Sequence, residues 1–144
     1  MHFGQIDSMC KVIASSIKEV CEIDVVIKNS SGRSRKLEGL DDKNAVFFGD
    51  GPELPISVPM NGAIYKADVL GGQKTGLFYD QRQNQKFVAG LASGKVVLDV
   101  FCHVGGFGLA AIAAGASKVS FIDSSANALE LVKICLLYTS DAAD

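Results

Sequence analysis

Tryptophan is absent from the 144 residues and proline occurs only three times. The four cysteines, Cys10, Cys21, Cys102 and Cys135, show neither CxxC nor Cys/His ligand spacing. That scatter argues against a zinc module or a disulfide framework and fits a reduced, cytoplasmic setting. No apolar run approaches the ~20 residues of a membrane span, the longest being such stretches as 96–100 and 109–114. A signal peptide is not expected either, because Asp7, Lys11 and Lys18 interrupt the apolar residues of the N-terminus. Nor is there an excess of one charge: 14 Lys+Arg face 16 Asp+Glu, for a net charge of −2. The basic footprint that nucleic-acid phosphates favour is therefore lacking, and composition neither demands nor excludes an RNA substrate. Apolar side chains are what the chain has in quantity, at 48% hydrophobic against 21% charged. They suffice for a core and exclude disorder of the whole chain. The length suits one domain or two small ones.

Apolar residues at Ile6, Met9, Cys10, Ile13, Ile17, Val20 and Cys21 recur in steps of three and four, which predicts an amphipathic helix over 7–22. On that face Cys10 and Cys21 read as small core hydrophobes. The β-branched run 24–28 predicts a strand, followed by turn residues at 29–32 and a brief helical turn over 34–40. Strands are expected at 45–48, 56–59 and 63–69, with Asn61-Gly62 as a two-residue hairpin turn. Arg33, Arg35 and Lys36 form the only basic cluster and, beside Glu38, Asp41 and Asp42, read as a solvated surface.

The second half differs in character. A glycine-bearing polar segment, 71–82, leads into a helix over 83–91. The run 95–100 has the near-continuous apolar composition of a strand buried on both faces of a parallel sheet. A glycine loop at 101–108, a helix over 109–114, a second buried strand at 119–122 ending in Asp123, and a helix over 126–134 come next. Strand, glycine loop, helix, strand, acid, helix is the opening of a doubly wound nucleotide-type fold.

Gly106, Gly108 and Ala111 fit a permissive dinucleotide fingerprint, with Asp123 as the ribose acid, so an NAD(P)-dependent oxidoreductase is one reading. Two features favour another. The loop between Val100 and its first glycine is too long for the tight dinucleotide turn, and Asp99 places a carboxylate where a pyrophosphate would approach. S-adenosylmethionine carries a sulfonium and an ammonium group and no phosphate, so an acid at this mouth suits it. The bland alternative is that Asp99 caps the loop and the glycines only make a βα turn.

The runs GGQKTGLFYDQR (71–82), VVLDVFCHVGGFG (96–108) and VSFIDSSANALEL (119–131), in this order and spacing, resemble the class I methyltransferases that modify C5 of cytosine in large-subunit 23S ribosomal RNA. Those enzymes combine an RNA-binding PUA domain, a small central α+β domain and a Rossmann-like catalytic domain. The resemblance covers about residues 24–134, including RKLEGL (35–40). It implies an α/β chain with a small α+β domain over 1–70, then the truncated start of an S-adenosylmethionine-binding domain over 71–134. It also implies a cofactor site of Asp99, Phe101, Gly105, Gly106 and Phe107 around the methionine moiety, with Asp123 and Ser124 at the ribose. Lys74, Gln81 and Arg82 lie in the segment that closes over the cofactor in such enzymes. The chain departs from the family at His103-Val104, where a Tyr-Thr pair is usual. Cys102 sits in the cofactor loop, whereas the family's catalytic cysteine comes from a later segment.

Residues 135–144 read as a translated sequencing adapter, with Ile134 the last native position. On that reading the chain is part of a longer enzyme and is inactive alone. The implied cofactor is S-adenosylmethionine and the implied partner large-subunit ribosomal RNA, with no metal and no membrane. Two alternatives stand beside it: the oxidoreductase, and a non-catalytic RNA-binding module with a relic cofactor fold.

Overall fold

Asn61 and Gly62 both take positive φ, 51° and 80°, the geometry of the two-residue turn that matches the right-handed twist of its flanking strands. The hairpin they close is one element of the structure, a computed structural model that describes residues 3–30 and 33–140. At residues 3–5, 33–34, 73–74 and 139–140 it describes the backbone alone. Contacts divide the chain into two units, Met1–Glu53 and Leu54–Asp144.

In the first unit helix α1 (Phe3–Val20) is followed by strand β1 (Val26–Lys28), the short helix α2 (Arg33–Leu37) and strand β2 (Ala45–Phe48), with β1 and β2 antiparallel. The turn expected at 29–32 falls partly outside the described residues, at 31 and 32. The helical face read from the sequence is largely uncovered: Cys10 is half-buried, while Ile6, Met9, Ile13, Ile17, Val20 and Cys21 are exposed, and the buried residue of α1 is Ala14, outside that face. Cys21 is thus not a core residue, because α1 ends at Val20 and Cys21 lies beyond it. The basic cluster is also corrected at one position. Arg35, 7% exposed, grips Asp7 through two nitrogens at 2.8 and 2.9 Å and also donates to the Asp41 carbonyl. Lys28 donates to the same Asp7 carboxylate at 2.9 Å.

These two cations hold the Asp7 carboxyl far below the ordinary carboxylate range, the Arg35 hydrogen bond being the larger cause. A depressed folded-state pKa contributes stability above the ordinary carboxylate value that is lost as pH falls through it. The first unit is therefore expected to lose stability as pH drops below about 4. Asp7→Asn should flatten that acid limb in a pH series of denaturant melts; a limb as steep as the parent's would refute the assignment.

In the second unit β3 (Ile56–Met60) and β4 (Ala63–Ala67) form the hairpin, paired from Ile56↔Ala67 to Met60↔Ala63. Two 3-10 turns, Gln73–Gly76 and Tyr79–Gln81, lead to α3 (Arg82–Ala89). Strand β5 (Val96–Val100), helix α4 (Gly106–Ala113), strand β6 (Lys118–Ile122) and helix α5 (Ala126–Ser140) complete it, with β5 and β6 parallel. The architecture is mixed α/β, with a strand–helix–strand crossover of the Rossmann type.

The core gathers Met60, Ala63, Tyr65 and Ala67 from the hairpin with Leu77, Val104, Leu109 and Cys135. The hairpin, which the sequence pattern groups with the first half, thus packs instead with the C-terminal elements of the second unit. Helix α5 runs on past Ile134: Cys135 is fully buried and accepts from the Lys66 amide at 3.1 Å, and Leu136 packs against the core. Residues 141–144 lie outside the described ones.

Strand β5 departs from expectation. Asp99 and Val97 turn towards covered surroundings, but Val96 is 73% and Leu98 60% exposed, so one face is open. Alternation along a strand puts these residues on opposite faces. The β6 run is likewise only half-covered, with Val119 and Phe121 partly buried and Ile122 exposed. Among the described residues no helix is long and apolar enough to cross a membrane.

Candidate functional site

Parallel strands place the ends of β5 and β6 side by side, so the loops at those ends meet at one edge. The loop after β5 is wound tightly. Phe101, His103 and Gly105 take φ of 58°, 51° and 78°. For the two non-glycine residues this left-handed backbone costs on the order of 1–2 kcal/mol each. Such strain persists only where surrounding bonds enforce it, and these are present. Cys102 N–H donates to the Ile122 carbonyl at 3.1 Å, Gly105 N–H to the Cys102 carbonyl at 2.8 Å, and His103 N–H to Asp123 Oδ2 at 2.8 Å.

Asp123 holds both loops. Its other oxygen accepts from the Ser125 amide at 2.8 Å, and the Ser125 hydroxyl in turn caps α5 through the Ala128 N–H. These backbone donors, Ser125 first and His103 next, pull the Asp123 carboxyl below its ordinary range. It stays ionised at neutral pH, an acceptor for hydroxyl groups.

Beside it opens a cleft of about 550 Å³ lined by Phe101, His103, Val104, Asp123 and Ser124, and on its other sides by Asp68, Phe78, Asn127 and Leu131. A second cavity of about 280 Å³ adjoins it. The two share Phe78, Phe101, His103 and Val104; the second adds Leu77, Gln81, Gln85, Cys102, Gly106 and Phe107.

Asp99 lies in neither. It is 8% exposed, and its Oδ2 accepts from the Gly108 amide at 2.8 Å, bracing the first turn of α4 from beneath. Burial raises its pKa, against the pull of the Gly108 hydrogen bond. The sequence pattern sets a carboxylate at the mouth of the site; the structure puts it behind the glycine loop. Gly105 is the left-handed residue that starts α4, and Gly108 lets Phe121 approach, since a Cβ there would lie 2.7 Å from the ring's Cζ. Tyr65, fully buried, donates its hydroxyl to the Gly106 carbonyl at 3.0 Å and ties the hairpin to the same turn.

Of the remaining expected residues, Gln81 lines the smaller cavity, whereas Arg82 lines a separate depression with Asn61 and Lys86. Lys74 sits on the first 3-10 turn, and its side chain lies outside the described atoms. Cys102 is buried and its thiol pKa is raised by that burial, so at neutral pH it is a protonated side chain rather than a nucleophile. Burial lowers the His103 pKa, leaving a neutral imidazole edge-on to Phe78 at 5.1 Å between centroids.

Sequence reasoning missed Asp68, Asn127 and Gln85. Asp68 accepts from the Leu70 and Gly71 amides at 3.1 and 2.8 Å, an Asx turn whose only local signal is the acid ahead of two glycines. Asn127 lies just past the cap of α5, and Gln85 occupies a helix face that is polar in sequence. Among the described residues no group of three or more His, Cys, Asp or Glu side chains is placed to hold a metal.

A family model described as S-adenosylmethionine-dependent methyltransferase matches residues 26–133. The chain is 38% identical over 109 residues to the ribosomal RNA large subunit methyltransferase I of Aeromonas hydrophila, covering 75% of this chain and 28% of that protein. It is 40% identical over 108 residues to the enzyme of the same name from Shewanella denitrificans, covering 75% and 27%. Among solved structures it is similar to a proposed methyltransferase in complex with SAH, at 26% identity and a TM-score of 0.61, over 67% of this chain and 26% of that one. A SAM-dependent methyltransferase from Agrobacterium tumefaciens shares the fold at 18% identity and a TM-score of 0.62, over 83% and 36%. The chain spans less than a third of the length of the curated relatives it matches.

Proposed function

Because this chain belongs to the family of S-adenosylmethionine-dependent methyltransferases, we propose that it carries the cofactor-binding part of an enzyme that methylates a base of large-subunit ribosomal RNA. The observation that carries this reading is the placing of Asp123 and Ser124 in one cleft with Phe101, at the carboxyl ends of two parallel strands. That is where open α/β sheets bind their ligands. The names of the curated relatives support the ribosomal substrate. Family membership leaves the nicotinamide-dependent alternative without support.

The residues fit the cofactor. Asp123, ionised and already fixed by two amides, is an acceptor for ribose hydroxyls, and Ser124 stands beside it. The amino-acid end would run past Phe101 into the smaller cavity, towards Gly106, Phe107 and Gln81, with Gly105 setting the start of α4 and Asp99 bracing it. Lys74 and Arg82 remain contacts that closure over the cofactor would have to supply. When bound, S-adenosylmethionine supplies an electrophilic methyl group on sulfur. This chain's residues would orient it, and orientation is a large part of what catalysis needs. The finer assignment is to C5 of cytosine, in a cytoplasmic enzyme with a PUA domain elsewhere in the same polypeptide.

Calorimetric titration with S-adenosylhomocysteine and with NAD⁺, each to millimolar concentration, tests the cofactor. Binding of the first and not the second is expected; the reverse would overturn the reading. For the longer polypeptide, transfer of a labelled methyl group to large-subunit ribosomal RNA is the expected activity.

A further inference from the structure

Helix α3 is polar on two neighbouring flanks. Gln81, at its N-cap, and Gln85, one turn on, line the smaller cavity beside the glycine loop. Rotated by one residue, Arg82 and Lys86 are also one turn apart, and they line a separate depression of about 470 Å³. Its far walls are Asn61 and Gly62 of the hairpin turn and Ala114 at the end of α4. No acid lines it. Among the described residues neither Arg82 nor Lys86 forms an ion pair, whereas Lys28, Arg35, Lys36 and Lys133 all do.

The fold has no evident use for this pair of charges. Like charges one turn apart on a helix repel. Arg82 opens α3, where the positive end of the helix dipole disfavours a cation. Lys86, in the last turn, suits the dipole, but α3 contains no acid to set against either charge. A chain of net charge −2 thus gathers two unpaired cations over one concave surface. Gly62 contributes backbone and no side chain to that surface, which leaves room for an extended ligand to lie close.

We infer that this depression is a phosphate-binding site for the backbone of an RNA strand, held by Arg82 and Lys86 with the Gln83 amide beside them. Arg offers a planar fork to two phosphate oxygens, Lys a point charge, and amide side chains are common phosphate donors. The inference rests on the reading of this chain as part of an RNA methyltransferase, which singles out RNA among polyanions. It places the strand's backbone on one flank of α3 and the cofactor cavity on the other, about one helix diameter, or 10 Å, apart. Contacts of this kind fix the register of a strand and carry no sequence information. The site would therefore position nucleotides flanking the reacting base. Arg82 takes this role where it stands, with no closure over the cofactor.

The test is fluorescence anisotropy of a labelled single-stranded oligouridylate titrated with the chain, at salt concentrations from about 50 to 200 mM. Lys86→Gln should lower affinity about threefold or more at the low-salt end. It should also reduce the slope of log affinity against log salt by about 0.7, the value of one phosphate contact on a single strand. Lys86→Glu should lower affinity at least tenfold, and adding Arg82→Gln to Lys86→Gln should reduce the slope by about as much again. Lys11→Gln, which removes an exposed lysine of the first unit, should change neither quantity. The melting temperature of the Lys86 variants and their affinity for S-adenosylhomocysteine should match the parent's, showing that the fold persists. An unchanged slope in Lys86→Gln, or no RNA binding by the parent chain at low salt, would overturn the site and leave the cofactor cleft standing. Tighter binding of polyglutamate than of RNA, with the same dependence on Lys86, would also overturn it, in favour of an acidic protein partner. If the parent chain binds RNA as expected but not S-adenosylhomocysteine, the cofactor reading falls and the phosphate site stands.

Discussion

Asp123→Ala is expected to weaken S-adenosylhomocysteine binding by about 100-fold or more, because two hydroxyl hydrogen bonds to a charged acceptor, at about 1.5–3 kcal/mol each, together come to at least about 3 kcal/mol. The same change removes the acceptor of the His103 and Ser125 amides, so the loops after β5 and β6 lose their shared anchor. The left-handed backbone at Phe101 and His103 is then held by fewer bonds. Affinity should therefore fall further than the ribose contacts alone would require, and the melting temperature should drop with it. Asp123→Asn keeps one acceptor but turns an NH₂ group towards one of the amides, and should fall between the two. The carboxyl pKa is depressed, so its contribution is full above about 4 and is lost as pH falls through the folded-state value. Binding should weaken over that same acid range. Affinity for Asp123→Ala within twofold of the parent, at neutral pH, would remove Asp123 from the site.

Gly108→Ala is expected to be strongly destabilising to the second unit. Its Cβ would collide with the edge of Phe121, with Cε1 nearest and Cζ at 2.7 Å, and the ring is packed against the core. Overpacking of this kind costs about 1–3 kcal/mol. If α4 shifts to relieve it, the Gly108 amide leaves Asp99, and a buried acceptor loses a bond worth about 1.5–3 kcal/mol. A combined loss of about 3 kcal/mol is a large share of the roughly 5–15 kcal/mol that holds a typical domain together. Gly94→Ala is the control: its Cβ meets nothing within 4 Å, and only its φ of 69° opposes the change, at about 1–2 kcal/mol. Denaturant unfolding should rank Gly108→Ala well below Gly94→Ala in stability. The opposite ranking would show that Phe121 gives way freely.

The features legible in the sequence are those set by near neighbours. Asn61-Gly62 announces its hairpin because the turn's conformation is a property of those two residues. Asp123 and the glycines reach one site because strand ends and helix starts are fixed by local pattern, and the parallel crossover then juxtaposes them. The misses share a different cause. Arg35 reads as a solvated charge until Asp7, distant in sequence, is found against it. Gln85 looks like one more polar residue of a surface helix, and only the fold reveals α4 across from it. Asp99 does stand at the end of its strand, but alternation turns it inward beneath the loop rather than out into the cleft. The apolar run of β5 suggests cover on both faces, yet cover is a matter of distant neighbours that no local pattern contains.

That open face has a practical side. Val96, Leu98 and Val100 stand out from one side of β5, and among the described residues β6 is that strand's sole partner. Wet apolar rows beside an unpaired strand edge favour self-association, which rises with protein concentration and with salts that strengthen apolar contact. The colloidal state of a preparation of this chain will therefore depend on its concentration more closely than its net charge would suggest. Dilute, low-salt handling is what the surface of β5 calls for.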